Sequence, residues 1–152
     1  MSTPASIILR NAYGDGSEAD IARIYRHWDG YPGVCGSVIA NAVIVASRTA
    51  PHRRAYGNGE TFPALTNRNW AQHVLKALCV DDADLEFVDE SRLPASEYTY
   101  VVTGGYDDFG GLARLAPDEF LYRINIECLC GQRVLFCGGV EAFSQWCEDY
   151  RF

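Results

Sequence analysis

Long apolar runs are missing from this chain. The longest, Val38 to Ala46, is broken at Asn41 and falls far short of the roughly 20 residues a membrane-crossing helix needs. Met1 to Ile8 lacks the basic-then-apolar order of an export signal, so a cytoplasmic protein is expected. Basic residues are scarce: 13 Lys and Arg stand against 20 Asp and Glu, and the formal charge is −7. That balance argues against non-specific binding to a nucleic-acid backbone, which depends on clustered cations displacing counterions. Paired C-x-x-C spacing is absent, and His27, His52 and His73 follow no convergent ligand pattern, so no metal and no cofactor is called for. P-loop, nucleophile-elbow and dinucleotide fingerprints are lacking too; Gly104-Gly105 and Gly110-Gly111 bracket a loop whose spacing fits none of them.

What is present suits a single α+β domain over residues 1–152. At 48% hydrophobic and 22% charged, a chain of this length buries a core without staples. Six cysteines without an export signal read as reduced thiols. Cys35, Cys79 and Cys147 sit among apolar helix-like neighbours, where a thiol behaves as a small hydrophobe. Cys128 and Cys130 share a strand face and Cys137 follows across a hairpin, so the pattern predicts a packed thiol cluster there.

Ser6 to Tyr13 and Ala19 to Trp28 are extended runs joined by the turn signal Gly14-Asp15-Gly16: an N-terminal hairpin. Asp29 to Gly33 breaks regular structure, and Pro32 opens an apolar helix from Val34 to Arg48. Thr49 to Pro63 reads as a loop. A second helix runs from near Asn67, capped by Thr66 or Asn67, with Trp70, Val74, Ala77 and Leu78 at helical spacing. Strands follow at Leu85–Val88 and Glu97–Thr103. The hairpin Phe120–Leu129 with Arg133–Cys137 comes next, then a last helix carrying Val140, Phe143, Cys147 and Tyr150 on one side. Hairpins outnumber crossovers, so the expected fold is α+β: a mostly antiparallel sheet with about three helices packed on one face.

At Tyr25-Arg26-His27-Trp28-Asp29-Gly30-Tyr31-Pro32 the chain resembles a family of small proteins from phages and mobile elements that share Y-x-H/Q-W/Y-D-G-Y-P after a short hairpin. The resemblance extends to Trp70–Leu78, to Glu97-Tyr98-Thr99-Tyr100-Val101-Val102 and to Leu135-Phe136-Cys137-Gly138. It departs at Thr49 to Pro63, where relatives are shorter. It implies a phage-type accessory protein acting in the host cytoplasm, one that counters a host defence.

The motif carries two readings. In one, Asp29 and Gly30 make a turn, Pro32 fixes helix entry, and Tyr25, Trp28 and Tyr31 fill the seam between helix and sheet. In the other, Tyr25, Trp28 and Tyr31 stack on a nucleobase, while Arg26, His27, Asp29 and the pair Arg53-Arg54 line an anion site. The second reading predicts a protein that sequesters a small anionic nucleotide between subunits of a homo-oligomer. An alternative uses the acidic run Asp81, Asp82, Asp84, Glu86, Asp89 and Glu90 to dock on a CRISPR or other defence protein by charge mimicry. A further alternative is a signal-degrading enzyme with His27 as general base.

Overall fold

A computed structural model describes residues 3–49, 52–54, 61–63, 69–81, 85–88, 96–105 and 121–150. Strands β1 (Ala5–Ala12) and β2 (Glu18–Arg26) form the expected antiparallel hairpin. Its turn closes because Gly16 adopts φ +85 and the Asp15 carboxylate accepts from the Ser17 amide at 2.8 Å. The register slips between Leu9 and Arg10, so Ile21 on β2 faces no residue of β1. This bulge turns the strand and brings Arg10 Nε to Asp20 Oδ1 at 2.6 Å, while Arg23 takes the other Asp20 oxygen. The bond to Asp20 raises the Arg10 pKa further.

From Pro32 to Gly36 the chain makes one wide π-helical turn, then tightens into α1 (Ser37–Thr49). Pro32 opens it as expected, because its missing amide is one that a helix start leaves unpaired. Where a loop is expected after α1, the chain instead forms a ribbon of β3 (His52–Arg54) and β4 (Thr61–Pro63), with Arg53 opposite Phe62. Short strands flanked by Pro and Gly carry too few residues to show a period, which is why the pattern reads as irregular. Helix α2 (Trp70–Asp81) begins at Trp70, and the candidate caps Thr66 and Asn67 lie outside the described residues.

The remaining elements are β5 (Leu85–Phe87), β6 (Tyr98–Gly105), β7 (Ile124–Cys130), β8 (Arg133–Gly139) and α3 (Val140–Asp149). Residues 121–123 are helical, so β7 starts later than the sequence pattern suggests. The six-stranded sheet runs β5-β2-β1-β6-β7-β8, antiparallel except for β1 beside β6. That parallel pair requires a crossover, and α1 and α2 lie within it. This is the α+β fold the pattern predicts.

One face of the sheet holds the core. Ile7 and Leu9 of β1, Tyr100 and Val102 of β6, and Ile124, Ile126 and Cys128 of β7 pack with Ile39, Val43 and Ala46 of α1, Trp70, Val74 and Leu78 of α2, and Phe143 and Cys147 of α3. Helix α1 touches both α2 and α3 and occupies the middle of the layer. Two glycines let large side chains approach the backbone. A Cβ on Gly104 would lie 2.6 Å from the Trp70 ring, whose Nε1 donates to buried Asn11 Oδ1 at 2.6 Å. A Cβ on Gly36 would collide with Cys147 Sγ.

The thiols separate differently from the expected cluster. Cys128 and Cys130 do share the inner face, but the register shift at Cys128/Leu129 leaves Cys137 paired with Glu127 on the outer face, exposed and beside Asn125. Cys79 is exposed too, on the outer side of α2. Buried Cys35, Cys128 and Cys147 instead surround Tyr100, and burial pushes the Cys128 and Cys147 thiols up to about 12.

Two outcomes follow. Gly104→Ala should cost about 1–3 kcal/mol by overpacking against Trp70. Trp70→Phe, which removes the clashing ring edge, should cost less in the Gly104→Ala background than alone, read by denaturant titration of the cycle. A thiol whose folded pKa is raised keeps its proton longer in the native state than in the unfolded one. Its stabilisation is therefore complete below the ordinary thiol value of 9.0 and is lost as pH rises toward 12. The melting temperature should fall over that window, and the fall should be shallower in Cys128→Ala.

Candidate functional site

The motif starts at a covered side chain, reaches the surface in its middle and turns inward at its end. Tyr25, the penultimate residue of β2, is 9% exposed and lies on the opposite sheet face from Ile24. Its ring meets the His27 imidazole edge-on, with centroids 4.7 Å apart. Beyond Arg26 the strand ends, and Arg26 Nε donates to the Trp28 carbonyl at 2.9 Å, folding the guanidinium back over its own turn. Trp28 is 56% exposed. Asp29, also exposed, follows at φ +51, the left-handed region that Asp tolerates better than most residues.

Gly30 locks this turn in place. Its amide donates to Thr3 O at 2.6 Å, and its carbonyl accepts from the buried Tyr100 hydroxyl at 2.7 Å. A Cβ at position 30 would sit 2.5 Å from that same Thr3 oxygen, so only glycine fits between the N-terminal strand and the turn. Tyr31 and Pro32 then turn inward, Tyr31 half-buried against the core and Pro32 buried at the start of the π-helical turn. Desolvation raises the Tyr100 pKa far above the usual phenol range, so its proton is permanently available to Gly30.

The motif therefore divides. Tyr25, Gly30, Tyr31 and Pro32 serve packing and the turn, and Trp28, Asp29 and the outer edge of His27 face solvent. His27 Nε2 lies 3.2 Å from Glu86 Oε2, a carboxylate supplied by β5, where Glu86 is the register partner of Tyr25. Chain order hides this contact because Glu86 stands in the acidic run, far from the motif.

The other sequence-expected residues are placed only in part. Arg53 and Arg54 occupy β3 of the two-stranded ribbon. Asp81 is the last residue of α2, while Asp82 and Asp84 lie outside the described residues. Among the described residues no group of His, Cys, Asp and Glu has the arrangement of a metal site, and no helix is long and apolar enough to cross a membrane. No family model, curated protein or solved structure matches the chain.

Tyr100→Phe should leave the Gly30 carbonyl buried without a donor, at about 1–3 kcal/mol. For a domain of this size the melting temperature should fall by roughly 3–10 °C. Trp28→Ala, which removes an exposed ring, should change it by less than about 2 °C.

Proposed function

We propose that this chain is a binding protein whose contact surface is the turn after β2, and that its ligand is a small anionic nucleotide which it sequesters. The carrying observation is Trp28: more than half exposed, on a backbone held from below by the Tyr100–Gly30 and Gly30–Thr3 bonds and set in position by the left-handed Asp29. A large aromatic shown to solvent on rigid backbone suits stacking on a base, because little side-chain or backbone freedom is lost on binding. Left-handed backbone at a non-glycine residue is also characteristic of functional turns.

Arg26 supplies local positive charge beside that ring, which an anionic ligand needs on a protein of net charge −7, and His27 adds a ring nitrogen next to it. Tyr25 acts from beneath, orienting His27. Arg53 and Arg54 complete the phosphate contacts, and a second copy of the chain closes the pocket. Together with the resemblance to phage proteins, this reading makes the protein an accessory factor that lowers a defence signal in the host cytoplasm by holding it.

The His27–Glu86 pair supports a second reading, a signal-degrading enzyme. A carboxylate at 3.2 Å from Nε2 orients the imidazole, the arrangement of a general base with its positioning partner.

A thermal-shift panel of cyclic nucleotides and ADP-ribose-like signals tests both. A ligand at about 100 times its Kd adds about 2.7 kcal/mol, a rise of roughly 5–10 °C. Trp28→Ala should melt like the native chain without ligand and lose that rise. If every member of the panel leaves the melting temperature unmoved, nucleotide sequestration fails. Turnover of a bound member that vanishes in His27→Ala would replace sequestration by catalysis.

A further inference from the structure

The two edges of the sheet differ in what they offer. At one, β5 is three residues long and fronts an open hollow of about 420 Å³ beside α2. At the other, β8 runs for seven residues. Among the described residues its backbone bonds to β7 alone, so its outer row of amides and carbonyls is open to a further strand. Such an edge is usually guarded by proline, lysine or a covering element. β8 contains neither proline nor lysine, and its one guard is the bulge at Leu135, which bends the strand without blocking it. Both faces of the edge are apolar. On the outer face Val134 is 51% exposed; on the helix side Phe136 and Trp146 of α3 are half-buried and stack with centroids 5.3 Å apart.

Charge at the two ends of β8 selects the occupant. Arg133 opens the strand as the register partner of Cys130, and so shares its helix-side face. The other end runs through Gly139 into α3, whose first turn carries Glu141. Both side chains are exposed, and neither has an ion pair within its own copy among the described residues. Beside Glu141 lies an open hollow of about 490 Å³, lined also by Val140 and by Tyr122, which is 94% exposed. An arginine entering it can meet the Glu141 carboxylate and the Tyr122 ring together. Opposite charges at opposite ends of one strand are matched when that strand lies antiparallel to itself across a two-fold axis. Pairing of this kind keeps both helix layers on one side of the joined sheet, so Arg133 of each copy reaches the side on which α3 of the other begins. Growth then stops at two copies, because the edge left over is the short β5.

We propose that β8 pairs antiparallel with β8 of a second copy, joining the two sheets into one and setting Arg133 of each copy into the Tyr122–Glu141 hollow of the other. This interface lies across the sheet from β2 and the Trp28 turn, so it does not rest on the nucleotide reading, and a copy that closes the Trp28 pocket comes through a different surface.

Sedimentation velocity without nucleotide tests it. The native chain should run as a dimer. Arg133→Glu and Glu141→Arg should each weaken that dimer at least about tenfold, by setting like charges against each other, and Arg133→Glu/Glu141→Arg in one chain should restore it. Val134→Lys, which changes only an exposed side chain and is checked by its melting curve, should yield monomers and speed amide hydrogen exchange along β8. A native chain that stays monomeric would overturn the proposal, as would a dimer indifferent to Val134→Lys and to both single reversals. A double reversal that remains monomeric would overturn the antiparallel alignment.

Discussion

The hydroxyl of Tyr100 ties the conspicuous surface of this protein to its interior. Tyr100 stands on β6, between β1 and β7, with its ring against Phe143 of α3 and its oxygen bonded to the Gly30 carbonyl. Around it, buried Cys35, Cys128 and Cys147 exclude water, so the bond is made where an unsatisfied carbonyl would be expensive. Gly30 is squeezed between that hydroxyl and the Thr3 oxygen, and no larger residue fits. The path of the chain from β2 to α1 follows from these contacts, and so does the left-handed turn at Asp29.

That constraint explains how one motif carries structural and exposed residues side by side. Before the turn Tyr25 is covered on the outer sheet face beside His27, and after it Pro32 is drawn into the start of the π-helical turn, while the two residues at its apex are left exposed. Trp28 is consequently displayed by the anchoring of its neighbours. A ring presented this way stands on anchored backbone without being buried.

β5 gives the sheet edge its second character. Only three residues long, it contributes Glu86 to His27 on one face and Phe87 to the α2 hollow on the other. A strand of that length has little pairing energy of its own, so its position depends on Ile24, Tyr25 and Arg26 of β2, the residues that lead into the Trp28 turn. One short strand thus borders both the face that carries His27 and the hollow beside α2.

Periodicity and turn chemistry made the elements legible in the sequence. The hairpin around Gly14-Asp15-Gly16, the alternation of Tyr98, Tyr100 and Val102, and the stripe of Val140, Phe143 and Cys147 are local patterns whose physical meaning does not depend on the rest of the chain. The β3–β4 ribbon is not legible there because three-residue strands have no readable period, and neither is the face of Cys137, because a single bulge reverses the face of everything beyond it. The pairing of His27 with Glu86, the exposure of Trp28 beside a buried Tyr25, and the hollow beneath Phe87 were decided by strand order and by what each helix covers. Such facts depend on contacts between residues far apart in the chain, whose energies balance only when the whole sheet is assembled.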